Sequence, residues 1–399
     1  MPQDSMASTD AGRLRDVAAA DEAFGADLYR SFGASTRNTV FSPASVAAAL
    51  QMALCGARGA TAAQIATALH LSGPNAATDG LRLLAGTLDA GDDAGVTLRA
   101  PNTMWVQAGL PLSPEFTDRL RAAASVTVRP ADFAGAAQEA RGQINQLIAD
   151  QTAGKITGLL GPGAVSAATR LVLASAVYLK AAWAFPFPER ATAEAPFYPG
   201  IDGAAPAGDS DAPVSDTQVM VRMMRLTADL AYLRADGYQA VLLPYKASRL
   251  AMAVVLPDGP LTTLAPRLAG GLGPLLDGAA RQRVALSMPK FRQRASFGLI
   301  PVLRELGIED AFTGAADFSG ITTAERLLIS AIVHQAYIDV DEQGTEAAAA
   351  TAAVMRPMAL RREPDPIPIV VDRPFLFAIV DTATGLPLFL GHVVTPATG

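Results

Sequence analysis

The sequence predicts an α+β fold with strands scattered among helices, on three observations. Phe24, Leu28 and Phe32 recur every four residues, which places them on one face of a helix in an N-terminal third that reads as helical. From about Leu98 the pattern turns to strands, among them the nearly uninterrupted apolar run Leu171 to Lys180 and the alternation of Val284, Leu286 and Met288. No regular strand–helix–strand rhythm and no internal repeat runs through the chain.

Individual elements follow from local signals. Ser42 and Pro43 supply an N-cap and a first-turn proline for a helix that runs to about Cys55 and closes at Gly56. Thr61 opens a further short helix that ends near His70. The run Leu171 to Lys180 lacks a polar face, so it is expected to be covered on both sides. Val284, Leu286 and Met288 point to the buried face of a half-exposed strand. Residues 376–380 and 387–394 read as two strands joined by a turn at Thr382 to Gly385.

Composition narrows the function classes. The 399 residues suffice for one large domain or two to three ordinary ones, and half are apolar, so a sizeable core is available. A formal charge of −6 offers no basic field, so no nucleic acid partner is expected. Cys55 is the single cysteine, which excludes an intrachain disulfide and a cysteine-built zinc site; it reads as a buried thiol, and neither metal nor cofactor is expected. No apolar run is long enough to span a bilayer, so no membrane partner is expected. The opening MPQDSMASTDAGRLRD lacks a basic region followed by an apolar core. The expectation is a cytoplasmic protein or one secreted after processing, with an extracellular setting left open. Only His70, His334 and His392 are available as bases and no G-x-S-x-G motif is present, so the chain is not expected to be an enzyme.

The segment from Gly344 to about Pro368 is too long for an ordinary connection, since loops beyond about 12–15 residues are usually functional or disordered. Its beginning belongs to a run of very small side chains within Asp341 to Ala353. On composition that run reads as an alanine helix or low-complexity filler. The rival reading is a segment that slides between other backbones, where a large or charged inward side chain would jam. Its end, Arg361-Arg362-Glu363-Pro364-Asp365-Pro366-Ile367-Pro368, is charged and proline-rich, which favours exposed, protease-accessible backbone.

Val371-Asp372-Arg373-Pro374-Phe375-Leu376-Phe377-Ala378-Ile379, followed by Asp381, Thr384-Gly385, Leu388-Phe389 and Gly391, resembles the C-terminal signature of the serpins in residue type and spacing. Further matches run in one unbroken order over residues 20–397. They include Asn38 to Leu50, Asn145 with Thr152-Ala153-Gly154-Lys155-Ile156, and Ala176-Val177-Tyr178 with Lys180 and Trp183. Later come Met223-Met224, Leu243-Pro244-Tyr245, Val255-Leu256-Pro257-Asp258, Met288-Pro289-Lys290-Phe291, and Leu306-Gly307-Ile308 with Asp310-Ala311-Phe312. The chain is thereby similar to an inhibitory, prokaryote-like serpin. The resemblance implies a single serpin domain over 1–399 with three β-sheets and eight to nine helices, a flexible N-terminal segment at 1–19, and a hinge and reactive-centre loop at 342–370. It also implies a monomeric serine protease inhibitor that traps its target as a covalent acyl-enzyme, by inserting the cut loop into a metastable main sheet.

On that resemblance the hinge comprises Glu342, Gly344, Thr345, Glu346, Ala347, Ala348, Ala349, Ala350 and Thr351. Strand alternation puts Thr345, Ala347, Ala349 and Thr351 on the face that turns inward on insertion, and Glu346 on the wetter one. Thr345 is expected to enter the sheet first, and an arginine there to leave the protein folded and cleavable but to slow insertion, so that it behaves as a substrate. The reactive bond falls sixteen residues beyond Glu342, at Met358–Ala359, with Arg356, Arg361 and Arg362 as trypsin-like alternatives. Methionine suits elastase-, chymotrypsin- or subtilisin-like proteases. Ser42, Ser45 and His334 match the family's shutter beneath the central strands, and Trp183 and Glu342 its breach at the top of the sheet. Ser175 stands where asparagine is common, and its shorter side chain is expected to reach fewer partners; Ala181 stands where glycine is common. A non-inhibitory carrier or chaperone-like binder and a cross-class inhibitor of a cysteine protease are the alternatives. Heparin-type activation is not expected, because residues 73–95 hold only Arg82 as a basic residue.

Overall fold

The computed structural model describes residues 3–33, 37–88, 96–121, 126–199, 218–346 and 365–396. Among them are eight α-helices: α1 (Gln3–Phe32), α2 (Pro43–Gly56), α3 (Gly59–Ala68), α4 (Pro74–Leu88), α5 (Pro114–Arg121), α6 (Phe133–Gln151), α7 (Gly273–Leu276) and α8 (Ile300–Glu305). The first strands are β1 (Thr39–Phe41), β2 (Val96–Arg99), β3 (Asn102–Gln107), β4 (Val126–Ala131), β5 (Leu171–Ala182) and β6 (Ala193–Phe197). The next are β7 (Val219–Ala235), β8 (Tyr238–Pro244), β9 (Leu250–Pro257), β10 (Ala280–Pro289), β11 (Phe291–Gly298) and β12 (Ile329–Val340). The chain closes with β13 (Gly344–Thr345), β14 (Ile367–Val370), β15 (Phe375–Asp381) and β16 (Pro387–Val393). This irregular interleaving is that of an α+β fold.

Helix α2 forms where the sequence signals it. The Ser42 hydroxyl accepts the Ser45 amide, Pro43 opens the first turn, and every residue is buried, which makes α2 a central helix. It ends at Gly56, where a Cβ would lie 2.2 Å from Ile321. Helix α1 covers most of the segment 1–19 expected to be flexible, and Val17 and Ala18 are already buried.

Seven strands form the first sheet, in the order β11-β12-β13-β5-β3-β4 with β2 also on β5. β2 and β3 pair with successive stretches of β5 and act as one interrupted strand. β5 and β12 are parallel and directly paired as far as Tyr178 and Tyr337. Beyond that pair they part, and β13 sits between them, antiparallel to both. The remaining nine strands make a second sheet. Three sheets were expected; among the described residues hydrogen bonding makes two, because the 17-residue β7 pairs β6 at its start, β10 from Met223 to Tyr232 and β8 at its end.

Strand alternation on β5 explains its apolar run. Leu171, Leu173, Val177, Leu179 and Ala181 face the main core, whereas Val172, Ala174, Ala176 and Tyr178 face a second core under α6, built from Phe133, Ala140, Ile144 and Ile148. The first sheet is thus covered on both faces, and β5 and β12 lie at its centre.

Candidate functional site

The hinge begins with a turn. Asp341 Oδ1 accepts the amides of Gln343 and Gly344 at 2.8 and 3.1 Å, which delivers Gly344 against β5. A Cβ there would lie 2.0 Å from the Ala181 carbonyl oxygen, so glycine is needed for close approach as well as for freedom at the pivot. Thr345 follows, opposite Ala181 and Val340, with no solvent exposure. Its hydroxyl lies 2.6 Å from that of Tyr245, whose ring stacks on Trp183 with centroids 4.6 Å apart. The Trp183 indole in turn donates to the Asp341 carbonyl at 3.0 Å. This corrects one expectation: Thr345 does not wait outside the sheet but is already seated in it. An arginine at 345 would therefore strain the uncut protein itself, because its charge would have to displace the Tyr245 contact in a dry site.

Glu342, expected at the breach, is buried and makes two contacts: the Thr192 hydroxyl donates to Oε1 at 2.8 Å and Lys290 Nζ lies 2.7 Å from Oε2. Burial raises the Glu342 carboxyl, but the Lys290 ammonium and the hydrogen bonds outweigh it, and the net direction is down. Glu342 is therefore a carboxylate that fastens the root of the loop to β10's end and to the connection after β5.

The residues expected to form a shutter make a directed relay. The Ser42 amide donates to His334 Nε2 at 3.0 Å, so the imidazole proton sits on Nδ1 and donates to Ser175 Oγ at 3.0 Å. Ser175 then donates to Ser45 Oγ at 2.8 Å, and Ser45 to Asn102 Oδ1 at 3.1 Å. Burial pushes the His334 pKa down to about 3, which keeps the ring neutral. Ser175 bridges His334 and Ser45, and Asn102 completes the relay. Sequence reasoning missed Asn102, Thr192 and the roles of Lys155, Tyr245 and Lys290. The last three stand in motifs singled out by resemblance, but only three-dimensional contact assigns them partners. Met358, Ala359 and the hinge positions Ala347, Ala348, Ala349, Ala350 and Thr351 lie outside the described residues.

A helix-covered sheet whose two central parallel strands are parted at one end by the root of a long loop is the architecture of the serpin fold. The chain matches the serpin (serine protease inhibitor) family over residues 19–396. It is 36% identical over 391 residues to an uncharacterized serpin-like protein of Thermococcus kodakarensis, a match spanning 97% of this chain and 88% of that one. It is 31% identical to the leukocyte elastase inhibitor of Sus scrofa, over 96% of this chain and 100% of that one. Among solved structures, human thyroxine-binding globulin superposes with a TM-score of 0.82 at 26% identity, over 97% of this chain and 100% of that one. The chain belongs to the serpin family, whose members generally inhibit proteases.

Proposed function

We propose that the chain inhibits a serine protease by allowing it to begin, but not finish, cleavage of Met358–Ala359. The observation that carries this reading is β13: Gly344 and Thr345 occupy the gap between β5 and β12, antiparallel to both. The protease serine attacks the Met358 carbonyl, the Ala359 amine leaves, and Met358 stays on the enzyme as an ester. The cut frees the far end of the segment that starts at Gly344, and the strand grows from β13 between β5 and β12. One parallel ladder is exchanged for two antiparallel ones, which are slightly stronger per residue. Residues 347–353 are alanine except for Thr351, so no inward side chain jams the passage. The tethered protease is carried along and distorted before water reaches the ester. The unbranched apolar Met358, and the likeness to a leukocyte elastase inhibitor, support an elastase-, chymotrypsin- or subtilisin-like target.

Incubation with a panel of serine and cysteine proteases tests this. The expected result is an SDS-stable complex with an elastase- or subtilisin-like enzyme and a released peptide that begins at Ala359. Met358→Arg should move inhibition to trypsin. A peptide with another first residue relocates the reactive bond. Absence of a covalent complex with every enzyme favours a carrier instead.

A further inference from the structure

Glu346 follows Thr345 with its backbone in the left-handed region (φ 50°), which residues other than glycine rarely adopt. Its amide still donates to the Asp339 carbonyl at 2.9 Å, so its backbone is tied to β12 although its φ is not that of a strand. The carboxylate forms an ion pair with Lys155, and its Oε2 is buried. Lys155 belongs to the connection after α6. Its carbonyl accepts Arg294 Nη2 at 2.7 Å, and its ammonium lies 5.8 Å from the centre of the Tyr337 ring. Tyr337 and Tyr178 are the last directly paired residues of β12 and β5. Burial, and next the Glu346 charge, push the Tyr178 hydroxyl up to about 12, which puts the carboxylate beside that pair. The ion pair therefore spans the fork where the two strands separate.

A strand advancing from Thr345 must turn Glu346 extended and draw its carboxylate off Lys155. Withdrawal is opposed separately, by the Thr345–Tyr245 hydrogen bond and the pairing of Gly344 with Ala182. Loosening Glu346 alone thus favours advance over retreat. We propose that Lys155 and Glu346 form a latch that arrests the hinge after Thr345, so that release of this ion pair sets the rate of strand insertion; the inference rests on the inhibitory reading above.

The test holds uncut protein at elevated temperature and follows the appearance of a heat-resistant form whose loop proteases no longer cut. Lys155→Met and Glu346→Gln should reach that form about fivefold faster than wild type, and the exchange Lys155→Glu with Glu346→Lys should return to near the wild-type rate. Added salt should speed the wild type and leave the single variants unchanged. Single variants that convert at the wild-type rate, or an exchange variant as fast as the singles, overturn the latch. Protease-cut wild type is the control. If cutting raises its heat resistance while the singles behave as wild type, the latch alone fails. If cutting raises nothing, the inhibitory reading fails with it.

Discussion

His334 carries a consequence for acid stability. It is fully buried, and its two ring nitrogens are committed to the Ser42 amide and to Ser175 Oγ. Burial holds its folded-state pKa at about 3, whereas in the unfolded chain the ring titrates near its ordinary value of about 6.5. Between those values the unfolded state binds a proton that the folded state refuses, so stability falls as pH falls through the window and is intact above it. At pH 4 the loss from this one group reaches about 3 kcal/mol. Urea unfolding of the uncut protein from pH 7 to 4 should show a falling midpoint. His334→Gln, destabilised at pH 7 by its poorer fit, should show a shallower fall. Parallel curves for the two proteins would remove His334 as the acid-sensitive group.

For secondary-structure elements, register is the useful quantity. Thr345 pairs with Ala181 on β5 and Val340 on β12. Continuing those two antiparallel registers brings Thr351 opposite Ser175 and His334, the residues whose hydrogen bond links β5 to β12. An inserted Thr351 would separate them and offer its own hydroxyl to both. Thr351→Val should then leave the melting of uncut protein unchanged and lower the stability of the cut form by about 1–3 kcal/mol, because Ser175 and His334 would be left short of a partner. Equal losses in both forms would place Thr351 elsewhere. Elements such as α2 and the β15–β16 pair were legible in the sequence because their signals are local: a cap, a proline, a turn between two apolar runs. The main strands β5 and β10 were legible from their apolar patterning alone. The seating of Thr345 was not, since it depends on Tyr245, a hundred positions away. Nor was the joining of two sheets through β7, because pairing partners leave no mark on the strand that bridges them. The residues expected to form a shutter were recognisable by resemblance, yet the step from Ser45 to Asn102 joins positions 57 apart and had to be seen.

Across the whole molecule, the uncut protein holds a parallel pair at the centre of its main sheet with room made for one more strand at the top. Insertion from Glu346 onward would replace the β5–β12 ladder by two, a net gain of one ladder of roughly ten hydrogen bonds, each worth about 0.5–1.5 kcal/mol. That places the cut form on the order of 10 kcal/mol below the uncut one. With an unfolding entropy of about 2.1 cal/mol/K per residue, a chain of this length converts such a gain into a rise in melting temperature on the order of 10 °C. The small side chains at 347–353 add little apolar burial, so the shift should come from backbone pairing and persist in salt. The expected outcome is that protease-cut protein, freed of enzyme, melts at least that much higher than uncut protein in calorimetry. It should also show new amide protection along β5 and β12 in hydrogen exchange. Cut and uncut protein melting together, with no added protection on either strand, would mean that the loop does not enter the sheet.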